Sequence, residues 1–196
     1  MAHYYTNDEV KSEPTSFDFN FDGSKIHFNS DAGVFSKNFI DYGSQVMLRN
    51  IEIKDGQSIL DVGCGYGAMG ISLSKVHHVE CTMVDVNLRA LDLCRRNAKE
   101  NNIDNYHIFE SNCYENVSGT FDVIFTNPPI RAGKDVVTTI LTGSYDHLNN
   151  DGSMYVVIQK KQGAPSAKKK LEEVYGNCEI IARDKGYYIL KSKKEI

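Results

Sequence analysis

Asn127-Pro128-Pro129-Ile130 follows the apolar run 121–126 and joins a side-chain amide to two consecutive prolines. Proline fixes φ and removes an N–H donor, so the backbone here is stiff and presents carbonyls. The Asn127 side-chain oxygen and the Pro128 carbonyl can both accept hydrogen bonds from one exocyclic amine. Such an amine is planar and a poor nucleophile. Two acceptors draw it toward tetrahedral geometry and aim its lone pair. A loop-ending Pro-Pro turn would also explain the tetrapeptide taken alone. A second constellation lies upstream, in Ile59-Leu60-Asp61-Val62-Gly63-Cys64-Gly65-Tyr66-Gly67-Ala68-Met69-Gly70. A short apolar strand runs there into three alternating glycines and then into a helical pattern. Gly63, Gly65 and Gly67 leave no Cβ between the turn and whatever docks on it, and they permit positive φ. The helix behind offers free N–H groups and the positive end of its dipole. This is a strand–glycine loop–helix site for a nucleotide-like cofactor.

The glycines can be read in two frames. Gly65-x-Gly67-x-x-Gly70 matches the dinucleotide fingerprint, in which a helix N-terminus holds a pyrophosphate. Asp61-x-Gly63-x-Gly65-x-Gly67 resembles the nucleotide-binding motif of the class I S-adenosylmethionine (SAM) methyltransferases. SAM has no phosphate and carries an ammonium and a sulfonium, so an acid at the loop entrance is useful. The resemblance implies that Asp61 lies near the cofactor's ammonium end. Asp85 closes the apolar run 79–84, about 20 residues beyond the first glycine, where an acid accepts from ribose hydroxyls. Capping the next helix is its competing role, for which Asn87 is a rival. Asn127-Pro128-Pro129 resembles the Asn-Pro-Pro-aromatic motif of amino-group methyltransferases, which implies a catalytic role for Asn127, Pro128 and Pro129, with Asn127 also counted beside the cofactor.

Alternating strands and helices must position these groups. Phe17-Asp18-Phe19-Asn20-Phe21 alternates with period two, Asp22-Gly23 is a turn signal and Ile26-His27-Phe28 alternates again. This predicts an N-terminal β-hairpin outside the main sheet. A helix is expected over 41–50, with Val46 and Met47 turned inward. Strands are expected over 58–62, 79–84, 106–109, 121–125 and 153–159. Helices are expected over 67–76, 88–101, 135–148 and 166–175, the second with Leu88, Leu91, Cys94 and Arg95 setting its face. Asn149-Asn150-Asp151-Gly152 is expected to end the helix over 135–148. Strands 178–183 and 187–190 close as an antiparallel hairpin. The pattern predicts an α/β, Rossmann-like fold with a mainly parallel seven-stranded sheet.

The 196 residues suit one α/β domain, 1–196. Within it, 1–16 reads as a loosely ordered polar tail, 17–50 as hairpin and helix, and 51–196 as the SAM-binding catalytic core. Hydrophobic content of 41% and charged content of 24% place the chain among ordinary soluble globular proteins. No apolar run has membrane-spanning length and the N-terminus lacks a signal-peptide core, so no membrane partner and a cytoplasmic location are expected. Five cysteines, at 64, 81, 94, 113 and 178, form no Cys-x-x-Cys pair, which argues against zinc and against a disulfide scaffold. Cys64 reads as a small tolerated residue in the loop. The net charge of −4 draws nothing to nucleic acid globally, but Lys160, Lys161, Lys168, Lys169 and Lys170 cluster. They are either a solvated helix face or a phosphate-contacting patch.

Gly33-Val34-Phe35-Ser36, Asp41-x-Gly43-Ser44, Asp61-Val62-Gly63-Cys64-Gly65 and Asn127-Pro128-Pro129 occur in that order. The series resembles the RsmC-like small-subunit ribosomal RNA guanine-N2 methyltransferases, over roughly 17–192, in a single-domain branch. Larger members carry a further N-terminal domain. The resemblance implies SAM as cofactor, S-adenosylhomocysteine as product, no metal, and RNA as partner, with a target base that is unpaired or flipped out. It also places Asn112 where such folds bind adenine, although a turn asparagine explains that position as well. Ile130 stands where many such enzymes have an aromatic and cannot stack on a base. Phe35 is the candidate for stacking, with core packing as its alternative. Gln159 and Lys160 complete the expected substrate set. Adenine, a protein glutamine amide, a non-catalytic SAM- or RNA-binding module and an NAD-dependent oxidoreductase remain the alternatives.

Overall fold

The computed structural model describes residues 4–196. A two-stranded antiparallel hairpin, β1 (Thr15–Phe21) and β2 (Ser24–Ser30), precedes helix α1 (Tyr42–Asn50). The main sheet then begins with β3 (Ser58–Val62), α2 (Ala68–Val76), β4 (Glu80–Asp85), α3 (Leu88–Glu100), β5 (Tyr106–Glu110) and β6 (Phe121–Thr126). It continues through α4 (Lys134–Gly143), β7 (Leu148–Gln159), α5 (Ala164–Tyr175), β8 (Glu179–Asp184) and β9 (Tyr187–Lys193). The seven strands lie in the order β5-β4-β3-β6-β7-β9-β8. The first five are parallel, and β9 runs antiparallel to both β7 and β8. The chain steps one way from β3 to β4 and the other way to β6. The carboxyl ends of β3 and β6 therefore flank the crevice in which such sheets bind ligands.

Both faces of the sheet are covered, so successive residues of one strand serve different cores. Ile59, Val123, Phe125, Tyr155 and Val157 pack beneath α1, α2 and the hairpin. Leu60, Val62, Ile124, Met154 and Val156 pack beneath α4 and α5. Val46 and Met47 are buried on α1.

Several expectations are corrected. Leu88 is 48% exposed and Arg95 points outward to Asp92. Leu91 and Cys94 are buried as expected, and Ala90 and Ala98 complete the face in place of Leu88 and Arg95. α3 starts at Leu88, whose N–H is held by Asn7 Oδ1 at 2.8 Å, so this leucine sits at the helix mouth and not over the sheet. The helix after β6 ends at Gly143 and continues only as a 3-10 turn, Ser144–His147. Asn149-Asn150-Asp151-Gly152 lies inside β7, where the β6 pairing jumps between Phe121 and Val123. A Cβ at Gly152 would stand 2.8 Å from the Asn149 carbonyl and 3.0 Å from that of Asp122. Turn-forming residues here make a bulge, not a terminator. The described part of the expected loose tail is pinned. Arg89 donates to the Val10 carbonyl at 2.6 Å, and Asp31 accepts from Ser12 Oγ and Glu13 N–H.

Candidate functional site

β3 ends at Val62, and the next two N–H groups, of Gly63 and Cys64, both donate to the Val84 carbonyl at 2.9 Å. This carries the chain across the end of β4 and into the glycine turn, where Gly63, Gly65 and Gly67 have φ of 76°, 56° and 98°. The three serve two purposes. A Cβ at Gly63 or Gly65 would meet nothing within 4 Å, so the loop leaves open space on the crevice side. A Cβ at Gly67 would collide with Ile71 and Cys94, so this glycine lets α2 close onto α3. Burial pushes the Cys64 thiol well up, as suits a packed side chain.

Asp85 reaches the loop from β4. One carboxylate oxygen accepts from Gly65 N–H at 2.8 Å and the other from Asn87 N–H at 2.9 Å. Burial raises its pKa, opposed by those backbone donors. Capping of α3 falls to Asn87, whose Oδ1 accepts from Ala90 N–H at 3.1 Å. Asp85 thus lines the cleft with Gly63 and Gly65.

Asp61 does not reach the cleft wall. It is fully buried, and its Oδ2 accepts from Gly70 N–H in the first turn of α2 at 3.1 Å. Burial pushes its pKa up to about 8. Gly70 itself is crowded, since a Cβ would lie 2.6 Å from Met83 Sδ. A dinucleotide frame needs that turn open to a pyrophosphate. Here the Gly70 donor is already engaged, which favours a cofactor without phosphate.

β6 delivers the second half of the site. Thr126 Oγ1 donates to the Val62 carbonyl at 2.7 Å, tying the ends of β6 and β3 together. Asn127, Pro128 and Pro129 follow and line the same cleft as Asp85. Asn127 Nδ2 donates to Asp41 Oδ2 at 3.0 Å and to Ser44 Oγ at 3.1 Å. Phe35 is 39% exposed at the rim, its ring 5.0 Å from that of Tyr4.

Other expected residues lie off this cleft. Ile130 opens a 3-10 turn, is half-buried and packs toward the α4–α5 core. Asn112 is exposed on a neighbouring groove and accepts from Tyr5 OH at 3.2 Å. Gln159 pairs with Tyr187 in the sheet. Lys160 is exposed and its N–H donates to the Gly186 carbonyl. Tyr4, Tyr5, Asp41, Ser44 and Tyr66 also line the cleft. Asp41 and Ser44 carried a signal, the Asp41-x-Gly43-Ser44 part of the resemblance, but it assigned neither residue a role. Tyr66 OH donates to the carbonyls of Ser36 and Phe39, joining the glycine loop to the rim. Tyr4 arrives on the N-terminal segment, held by Asn87 Nδ2 on its carbonyl at 2.6 Å. Among the described residues there is no group of three or more His, Cys, Asp or Glu placed to hold a metal, and no helix is long and apolar enough to cross a membrane.

Residues 25–191 match the family model described as the methyltransferase small domain. The uncharacterized protein YbxB of Bacillus subtilis is 46% identical over 197 residues, covering 98% of each chain. Ribosomal RNA small subunit methyltransferase C of Salmonella typhi is 33% identical over 185 residues, which is 90% of this chain and 52% of the relative. The chain thus spans about half the length of the relatives that carry that name. Among solved structures, the T. thermophilus 16S rRNA N2 guanine methyltransferase (RsmC) in complex with AdoMet and guanosine superposes with a TM-score of 0.86. It is 24% identical, over 96% of this chain and 52% of that one. A methyltransferase from Pyrococcus furiosus superposes at 0.71, with 24% identity over 84% of this chain and 91% of the other.

Proposed function

The chain belongs to the methyltransferase small-domain family of class I, SAM-dependent enzymes, and on that premise we propose that it methylates an exocyclic amine of a nucleic-acid base, guanine N2 in small-subunit ribosomal RNA. The observation that carries this reading is the meeting of Asn127-Pro128-Pro129 with Asp85 and the open side of the Gly63–Gly65 turn in one cleft. The name shared by relatives about one-third identical supports ribosomal RNA as the substrate. We propose that the chain works as one domain, in the cytoplasm.

The residues present fit SAM. Asp85 would take the ribose hydroxyls, and the glycine turn would lie against the nucleoside with no Cβ in the way. When bound, SAM supplies an electrophilic methyl group on its sulfonium. The side-chain oxygen of Asn127 and the Pro128 carbonyl would accept from the target amine and turn its lone pair toward that methyl. Phe35 and Tyr4 would take the base face that Ile130 leaves unserved. Fixed acceptors and alignment supply the catalysis.

The test is mass spectrometry of ribosomal RNA from a strain lacking the protein, with calorimetric titration of SAM into the purified chain. The expected result is SAM binding and the loss of one N2-methylguanosine from small-subunit RNA. Unchanged RNA accompanied by loss of a methylated adenine or of a methylated protein glutamine would overturn the guanine assignment. Absence of SAM binding would overturn the whole reading.

A further inference from the structure

We infer that Asp41 and Ser44 are positioning residues for methyl transfer, acting through the Asn127 amide; the inference rests on the proposed amine methylation. An asparagine amide has two ends of similar size and opposite hydrogen-bonding character. Turned one way, Asn127 offers the cleft an acceptor. Turned the other way, it offers a donor that would repel the N–H groups an attacking amine presents. Asp41 settles the choice. Its carboxylate only accepts, so the group 3.0 Å from Oδ2 must be the nitrogen. Ser44 Oγ takes the second amide hydrogen at 3.1 Å. With both hydrogens spent, Oδ1 is the end left for the substrate. Donation to a carboxylate also polarises the amide and strengthens its oxygen as an acceptor.

The turn that holds these two partners is itself fixed. Asp41 is the N-cap of α1, and Oδ2 also accepts from Ser44 N–H at 3.3 Å. Between them, a Cβ at Gly43 would lie 2.7 Å from the Tyr187 ring and 3.0 Å from Asp41 Oδ2. Only glycine lets the turn sit this close to β9. Asp41 thereby supplies one acceptor, Gly43 the close approach, and Ser44 the second acceptor. The consequence is selectivity for substrates that bring a donor. An amine meets an acceptor at Asn127, whereas a carbonyl such as guanine O6 would meet oxygen against oxygen.

The test combines Asp41→Asn, Ser44→Ala and Asn127→Ala, singly and in pairs, with small ribosomal subunits from a strain lacking the protein as methyl acceptor. Asp41→Asn should lower kcat by about 10²-fold, with KM and S-adenosylhomocysteine affinity held within a few-fold. Ser44→Ala, which keeps the carboxylate and tests the idea should Asp41→Asn fail to fold, should lower kcat less. In the Asn127→Ala background neither substitution should slow the reaction further, because residues that act as a unit are not additive. Losses that multiply in the double variants, or wild-type kcat in both single variants, would overturn the inference. A substrate-free readout separates it from the functional reading. In ¹⁵N spectra of the wild-type protein the Asn127 side-chain N–H₂ should be protected from solvent exchange, and Asp41→Asn should reduce that protection while Ser44 still holds the second hydrogen. An Asn127 amide that exchanges as freely as a solvated one overturns the positioning role. A protected amide in a protein that methylates no subunit overturns the guanine reading instead.

Discussion

Asp85 holds two backbone N–H groups and still faces the cleft, so its removal acts on the ligand and on the loop together. Asp85→Ala should weaken SAM and S-adenosylhomocysteine alike. Losing hydrogen bonds to a charged acceptor costs about 1.5–3 kcal/mol, roughly ten- to a hundredfold in affinity. Calorimetry giving wild-type affinity would remove Asp85 from the cofactor site. Asn127 lines the same cleft and should separate binding from chemistry. Asn127→Ala should keep SAM affinity within a few-fold while turnover falls by about 10²–10³. A variant with full turnover would end the Asn-Pro-Pro mechanism. Asp61 makes a prediction of a different kind. Its pKa rises from an ordinary 3.8 to about 8 through burial, so the folded chain keeps a proton that the unfolded chain has released between those values. Stability from this group is therefore lost as pH rises through that window. Asp61→Asn cannot titrate there. Going from pH 5 to pH 8, the wild-type Tm should fall relative to that of Asp61→Asn. A Tm difference independent of pH would mean that Asp61 is ionised throughout.

The N-terminal hairpin is held by a helix that imitates a neighbouring strand. Asn97 Oδ1 accepts from the Asn29 N–H at 2.7 Å, and its Nδ2 donates to the carbonyls of Asn29 and Tyr66 at 3.0 Å. One turn later, Asn101 exchanges the same pair of bonds with His27. The two asparagines thus satisfy an edge of β2 that would otherwise be open, and Asn97 reaches the cofactor loop through Tyr66. Asn97→Ala would leave several buried backbone groups without partners. It should destabilise by at least about 2 kcal/mol, read from denaturation midpoints, and speed hydrogen exchange in β2. An unchanged midpoint would show that water replaces the amide freely. This element also marks where sequence reading stops. The hairpin, the glycine turn and Asn-Pro-Pro were legible because their signals are local: alternation, Asp-Gly and fixed φ. Asn97 on α3 carries no local signal, since its partners Asn29 and Tyr66 lie 68 and 31 positions away. Asn127 finds Asp41 across 86. Leu88 and the Asn149–Gly152 stretch were misread for the same reason: the tail segment and β6 decide their surroundings, and neither is adjacent in sequence. Ile130 could be excluded as a stacking residue by type alone, but its inward turn required the structure.

At the scale of the whole molecule the difficulty is charge. A chain of net charge −4 has no general attraction for RNA, so on the proposed reading phosphate contacts would come from a local surface. β7 runs parallel to β6, and its end at Gln159 and Lys160 therefore opens on the same edge of the sheet as Asn127. α5 starts there as well, carrying Lys168, Lys169 and Lys170 in its second turn. Lys168 is ion-paired with Glu172 on the same helix, so part of its charge is already engaged. Lys169 is exposed, whereas Lys170 is half-covered. Helix neighbours lie three and four apart, so three consecutive residues cannot all face one strand of RNA. One or two phosphate contacts are the expectation from this helix, with the exposed Lys160 and Lys161 just ahead of it available to add to them. Each contact contributes about −0.9 to the slope of log affinity against log salt on duplex, nearer −0.7 on single strands. Replacing Lys168, Lys169 and Lys170 together with Gln should flatten that slope by roughly one unit and weaken RNA binding, while SAM affinity stays at the wild-type value because none of the three lines the cleft. RNA affinity measured across a salt series for both proteins decides the matter. A slope that does not move would make these lysines a solvated helix face. The search for phosphate contacts would then shift to Arg131, which is exposed two residues beyond the cleft-lining Pro129.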